Sequence, residues 1–203
     1  MRQETGSPAT QNRTVPVRAP NSASRTREHL TENEVNTLLQ AAKSNRHGHR
    51  DYTMLLVCYK HGLRAQELCE LEWSQIDLDR ATMHIRRVKS GKPATHPIRG
   101  DVLRALRQLK REQTLASNLV FTSERGAPMK PVSFNMLVKR LGNGSELLGL
   151  PIHAHMLRHS CGYALINAGL DVRTVQDYLG HRSIASTARY TELSPNKFKH
   201  VWR

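Results

Sequence analysis

Acidic side chains are scarce in this 203-residue chain, where 17 Asp and Glu stand against 31 Lys and Arg and leave a formal charge of +14 at pH 7. A field of that sign disfavours cationic partners and favours polyanions. Nucleic acid is the commonest of these, although an anionic membrane surface or an acidic protein satisfies the same arithmetic. Aromatic residues make up only 5% of the chain. The longest apolar run, Met54 to Tyr59, falls far short of the roughly 20 residues needed to cross a bilayer, so no membrane role is expected. Near the start stand Arg2, Arg13 and Arg18 without an apolar stretch of signal-peptide length, so a cytoplasmic protein is expected. Cysteine is sparse as well. Cys58, Cys69 and Cys161 form no Cys-x-x-Cys pair and leave an odd thiol, which suits a reducing compartment and small core residues rather than disulfides. No phosphate-cradling glycine loop and no compact acidic set for Mg²⁺ is present, so neither ATP nor a metal cofactor is expected.

With 38% apolar residues, this length supports one core rather than two. Residues 1–28 carry five arginines and three prolines with only isolated apolar residues, a composition that cannot offset the entropy of ordering. They read as a flexible basic arm, and residues 29–203 as the folded domain, with 193–203 as a tail. Order is expected from Leu30, where Thr31-Glu32-Asn33-Glu34 reads as a capping box ahead of the apolar stripe Val35, Leu38 and Leu39. A second helical stretch, Tyr52 to His61, stops at Gly62, and a third runs through Ala65, Leu68, Cys69 and Leu71. Thr82 to Val88 is strand-like, Ser90-Gly91 a turn and Ala94 to Ile98 the return strand, a hairpin with Lys89 and Lys92 at its tip.

Helical patterns resume with Val102, Leu106 and Leu109. A Pro131-started helix carries Phe134, Leu137 and Leu141, and Gly142 to Gly144 reads as a loop after it. His155 to Ala168 and Val172 to Leu179 end at Gly169 and Gly180, and Ser183 opens a last helix. The fold class expected is mainly α with a small antiparallel β-sheet.

Four pieces place cations where one phosphate could be held. In the run Gly62 to Leu71, Arg64 follows a helix stop and precedes Glu67 by three residues, so a carboxylate can fix the guanidinium fork. In the run His153 to Leu165, His155 and Arg158 project side by side at i,i+3. His155 and His159 also have the i,i+4 spacing of zinc ligands, but Met156, Leu157 and Arg158 stand between them where a carboxylate base is needed, and Arg158 repels a cation. His159 reads rather as a hydrogen-bonded core histidine. In the run Tyr178 to Glu192, His181 lies in a loop and Tyr190 on the next helix, within reach of one pocket. The fourth piece is the hairpin tip with Lys89 and Lys92.

Taken in order, these pieces resemble the tyrosine recombinases, or phage integrase family, over about residues 30–195. Gly62-Leu63-Arg64 with Glu67 looks like the family's first arginine box, His155-Met156-Leu157-Arg158-His159 like its HxLRH box, and Leu179-Gly180-His181 followed by Tyr190 like its last. In size the chain is similar to the fimbrial phase-variation recombinases, a short single-domain branch.

The resemblance implies the family's catalytic-domain fold and site-specific DNA strand exchange: inversion, integration or excision. Tyr190 would be the nucleophile forming a 3′-phosphotyrosyl link, Arg64 and Arg158 would hold the phosphate oxygens, and His155 and His181 would assist. Lys89, or in its place Lys92, would protonate the leaving oxygen, while Glu67 and His159 would support from behind. Implied partners are double-stranded DNA in the nucleoid, further copies in a tetramer on synapsed sites, and an accessory DNA-bending protein. Most members carry a second DNA-binding domain ahead of the catalytic one, whereas here only the short arm is expected in that place. A type IB topoisomerase-like relaxing enzyme and a non-catalytic DNA-binding regulator are the rival readings.

Overall fold

The computed structural model describes residues 27–88, 91–113, 117–145, 147 and 150–192. The chain enters through α1 (Glu32–Lys43), which begins as the capping box dictates. The Thr31 hydroxyl accepts the Glu34 N–H, and the Glu34 carboxylate accepts the Thr31 N–H at 2.7 Å. Such a cap contributes about 1 kcal/mol. α2 (Gly48–His61) buries Met54 through Tyr59 without a break, so it is a central helix enclosed by neighbours. Those neighbours are α1, α4 (Gly100–Glu112) and α6 (Ala154–Asn167). Cys58, Cys69 and Cys161 are free thiols in this core.

Gly62 caps α2 in the left-handed region at φ 58°. A β-carbon there would also lie 2.4 Å from Leu179, so both backbone and packing require glycine. The short α3 (Ala65–Cys69) follows at once. It ends before Leu71, where the sequence pattern continues the helix, because the Leu71 carbonyl turns to accept the Val120 N–H at 2.8 Å.

A three-stranded antiparallel sheet then forms in the order β1 (Ile76–Asp77), β2 (Thr82–Ile85), β3 (Ala94–Pro97), with Met83 opposite His96 and Ile85 opposite Ala94. The edge strand β1 carries no alternating pattern long enough to read from sequence. β2 ends at Ile85, short of the expected Val88, because the Val88 N–H bonds the Glu67 carboxylate at 3.3 Å instead of a partner strand. Of the expected hairpin tip, Lys89 and Ser90 lie outside the described residues, and Lys92 is exposed.

α5 (Pro131–Asn143) contradicts the loop expected at Gly142. That glycine is helical and buried, because a β-carbon would stand 2.8 Å from Ile152. α6 and α7 (Val172–Leu179) end near the expected glycines, and α8 (Ala185–Glu192) starts two residues beyond Ser183. α8 packs on α6 and α7, so the tyrosine it carries faces the helix bearing His155, Arg158 and His159. Residues 27–30 lie along the same helices: the Leu30 N–H bonds Ser160 at 2.8 Å and Glu28 approaches Arg189 at 3.8 Å. The rest of the expected arm and the 193–203 tail lie outside the described residues.

Candidate active site

Two helix C-termini and one carboxylate organise the site. Gly62 closes α2 and Gly180 closes α7, so carbonyls with no intrahelical partner point into the space between them. Arg158 bridges these ends, giving one N–H to the Gly62 carbonyl at 2.5 Å and another to the Leu179 carbonyl at 2.7 Å. Two of its five N–H donors are thereby committed to protein. Arg64 sits at the N-cap of α3, where its own backbone N–H donates to Glu67 Oε2 at 2.9 Å and its Nη1 to Glu67 Oε1 at 2.6 Å. Glu67 also faces Arg158 Nη1 at 3.8 Å.

A third arginine, Arg87, completes the group. Its side chain is fully buried and its Nη1 meets Glu67 Oε2 at 2.9 Å. The one sequence signal for it is the alternation of Met83 and Ile85, both buried, which puts Arg87 in the same inward phase just past the end of β2.

Tyr190 is nearly inaccessible, with 1% of its surface exposed. Its ring packs edge-on against Tyr163, at 5.0 Å between centroids, and is stacked with His181 at 6.2 Å. Its hydroxyl lies 3.0 Å from His159 Nδ1, whereas the other nitrogen, Nε2, faces Glu28 at 3.9 Å. His159, expected to act only from behind, is therefore hydrogen-bonded to the tyrosine hydroxyl. His155 instead packs on the edge of His159, at 4.5 Å, with its outer side open to solvent. His181 is fixed by the buried Thr187 hydroxyl at 2.8 Å and by a bond from its own N–H to the Gln176 carbonyl at 3.0 Å. The structure thus brings Arg64, Glu67, His155, Arg158, His159, His181 and Tyr190 together from three separate stretches of chain. Lys89 lies outside the described residues.

Electrostatics follow from this crowding. Burial, with Arg64 and Arg87 nearby, pulls Arg158 down to about 10, so it stays charged at neutral pH. Burial pushes Glu67 up, but Arg87, the Arg64 N–H and Arg158 outweigh it and hold the carboxyl below its ordinary value. Burial, then His155 and the surrounding arginines, lowers His159 to about 3, and burial followed by Arg158 lowers His181 to about 3. His155 is lowered to about 4 by burial of its inner side and by Arg158, with water on its open side screening the effect. All three rings are neutral at pH 7, so His159 Nδ1 can accept the Tyr190 hydrogen bond. Burial raises Tyr190 to about 12 despite the opposing pull of Arg158 and Arg189. The phenol is thus held protonated until the charge around it changes.

Gly162 also shapes the site, without any signal in the sequence. A β-carbon on it would lie 2.5 Å from the Tyr190 ring, so this position on α6 provides the floor on which the tyrosine rests. Gly162→Ala is expected to cost about 1–3 kcal/mol of stability by overpacking and to dislodge Tyr190. Thermal melts, with tyrosine exposure followed by fluorescence, check this. An unchanged melt with Tyr190 still protected would contradict the packing.

Among the described residues, no group of three or more His, Cys, Asp or Glu side chains is arranged to hold a metal ion, and no helix is long and apolar enough to cross a membrane. A helical domain with a small sheet, three arginines around one carboxylate and a tyrosine on the last described helix together define a class. Residues 28–197 match the phage integrase family, and the chain belongs to it.

It is a tyrosine recombinase, 41% identical over 180 residues to the type 1 fimbriae regulatory protein FimB of Escherichia coli K12, covering 87% of this chain and 90% of that one. It is similar in fold to the solved XerA recombinase, with a TM-score of 0.71 and 26% identity over 92% of this chain and 68% of that one. It is also similar to XerH bound to a palindromic difH substrate after cleavage, with a TM-score of 0.73 and 22% identity, covering 85% and 52% of the two chains.

Proposed function

We propose that this recombinase cuts and rejoins duplex DNA at specific sites through Tyr190. The phenol oxygen attacks the scissile phosphorus, the bond from phosphorus to the 5′ oxygen breaks, and a 3′-phosphotyrosyl link with a free 5′ hydroxyl results. As the bound phosphate brings negative charge among the rings and raises their affinity for a proton, the phenol proton passes along the hydrogen bond to His159, and Lys89 supplies a proton to the departing oxygen, with Lys92 its substitute. Arg64 and Arg158 hold the non-bridging oxygens, assisted by His155 and His181 as neutral hydrogen-bonding rings.

The observation that carries this reading is the charge balance at the site. Arg64, Arg87 and Arg158 against Glu67 leave two positive charges. A phosphodiester carries one negative charge and gains a second as it is attacked, so a preorganised +2 site favours the transition state over the ground state. Cleavage stores the bond energy in the phosphotyrosine, and attack by a 5′ hydroxyl returns it on ligation.

The known XerH complex holds a DNA substrate, and the +14 charge suits the same partner. The reading extends to a tetramer on two synapsed sites, because each catalytic unit cleaves one strand, and to an accessory DNA-bending protein. It includes residues 1–28 as a basic arm beside a catalytic domain of residues 29–203.

Incubation with a nicked duplex drawn from DNA flanking the protein's own gene is expected to trap a detergent-resistant adduct at Tyr190. Binding-competent protein that forms no adduct, or forms it elsewhere, would overturn the assignment. DNA affinity is also expected to fall by about a thousandfold or more between roughly 50 and 200 mM salt, because each phosphate contact releases counterions. A flat salt response would contradict binding through the phosphate backbone.

A further inference from the structure

Arg87 is costly where it stands. Its side chain is fully buried, its Nε has no partner, and its charge opposes protonation of Arg158 and His181. An apolar residue of similar shape would serve packing as well or better. Yet its bonds reach every part of the site's frame. Nη1 meets Glu67 Oε2 at 2.9 Å and the Gly62 carbonyl at 3.5 Å, and Nη2 donates to the Tyr178 carbonyl at the end of α7. Space for the side chain is left by glycines: a β-carbon at Gly180 would stand 2.9 Å from its Cγ, and one at Gly91 would stand 2.8 Å from its Cβ. The Gly62 carbonyl accepts from both Arg87 and Arg158, and the neighbouring carbonyls of Tyr178 and Leu179 take one arginine each.

We propose that Arg87 is a positioning residue for strand cleavage: it pins the Glu67 carboxylate and the α7 terminus, and through them sets Arg64, Arg158 and His181 around the scissile phosphate. Glu67 has two oxygens and three arginines to satisfy. With Arg87 on Oε2, the opposite oxygen is left for Arg64 Nη1, which keeps the Arg64 fork in one orientation. Without Arg87, Glu67 can swing toward Arg158 and draw that guanidinium out of register with the phosphate. A lysine at this position would keep the charge but not the reach to Glu67 and Tyr178 together.

This inference rests on the proposed cleavage by Tyr190, and its test separates the two. Arg87→Lys, Arg87→Met and the double variant Arg87→Met with Glu67→Gln, which removes both buried charges together, are compared with wild type in the full-length protein. The nicked duplex is used with either a normal scissile phosphate or a methylphosphonate, whose non-bridging methyl removes the charge that the arginines hold. On the phosphate, Arg87→Met is expected to cleave about a hundredfold slower, with DNA affinity changed by less than about threefold, and Arg87→Lys to fall between it and wild type.

On the methylphosphonate, where orientation of the arginines matters less, the defect is expected to shrink to less than about tenfold. The double variant keeps the folded state measurable by thermal melt and should stay slow on the phosphate. An equal loss on both substrates, or a loss that tracks the folded fraction or the DNA affinity, overturns the positioning role. If wild type itself forms no Tyr190 adduct on either duplex, the proposed function fails instead.

Discussion

Tyr190→Phe is expected to abolish covalent cleavage, lowering adduct formation by at least about four orders of magnitude, while DNA affinity stays within a few-fold of wild type. The side chain is nearly buried, and its hydroxyl bonds His159 rather than facing solvent. Removing one oxygen therefore takes nothing from the cationic surface that DNA meets. The ring contacts with Tyr163 and His181 and the floor at Gly162 are all kept by phenylalanine. Only the His159 Nδ1 acceptor is left without its donor, which costs about 1 kcal/mol of stability.

Arg158→Ala behaves differently, because it strips donors from the Gly62 and Leu179 carbonyls and leaves Glu67 facing fewer cations. Its loss of activity would come with a lower melting temperature. Gel-resolved adduct assays, binding titrations and melts on the two variants separate chemistry from architecture. A Tyr190→Phe protein that still exchanges strands would show that the nucleophile lies elsewhere.

What the sequence disclosed was decided by local signals. The capping box at Thr31 and the stops at Gly62 and Gly180 are short-range patterns with fixed chemistry, and the helices start or end there. The residues that flank those stops, Arg64 and His181, were legible for the same reason, as was the side-by-side placement of His155 and Arg158 on one helix. Relations across the chain were not legible. Arg87 carries no signal of its own in the sequence, because an arginine in a strand is usually solvated. Its burial depends on Glu67, twenty residues earlier in the chain.

Gly142 read as a loop because glycine is a poor helix former, yet packing against Ile152 overrides that propensity. His159 was expected behind the site, because helical spacing cannot show that α8 brings Tyr190 onto it. Glu28 was assigned to a flexible arm, but its carboxylate approaches both His159 and Arg189.

Acid is expected to unfold this protein from a pH well above the usual carboxylate range. Beneath the arginines, His61 and His96 meet through their Nδ1 atoms at 3.3 Å, and His96 stacks on the Tyr178 ring at 3.7 Å. Both Nε2 atoms are buried without a partner. Burial lowers His61 to about 4, with Arg87 adding to the effect and Asp101 opposing it, and burial, His61 and Arg87 lower His96 to about 3. His159 is the third buried ring, lowered to about 3. All three have folded-state values below the ordinary 6.5. Their neutral forms thus stabilise the fold fully above that pH, and the contribution is lost as pH falls from about 6.5 toward 4.

Each group then favours the unfolded chain by about 1.4 kcal/mol per pH unit, and the three together by roughly 4 kcal/mol per unit. For a total stability of about 5–8 kcal/mol, at the lower end of the usual range, half-unfolding is expected between about pH 5.3 and 4.5. Lowered Glu67 adds a loss of the same sign at still lower pH. Urea melts across this range measure the slope, and replacing both His61 and His96 with phenylalanine should lower it by about 2.7 kcal/mol per unit. A wild-type stability that is flat between pH 7 and 5.5, or a slope that survives the double substitution, would show that these rings take up protons in the folded state and that the buried pair is open to water.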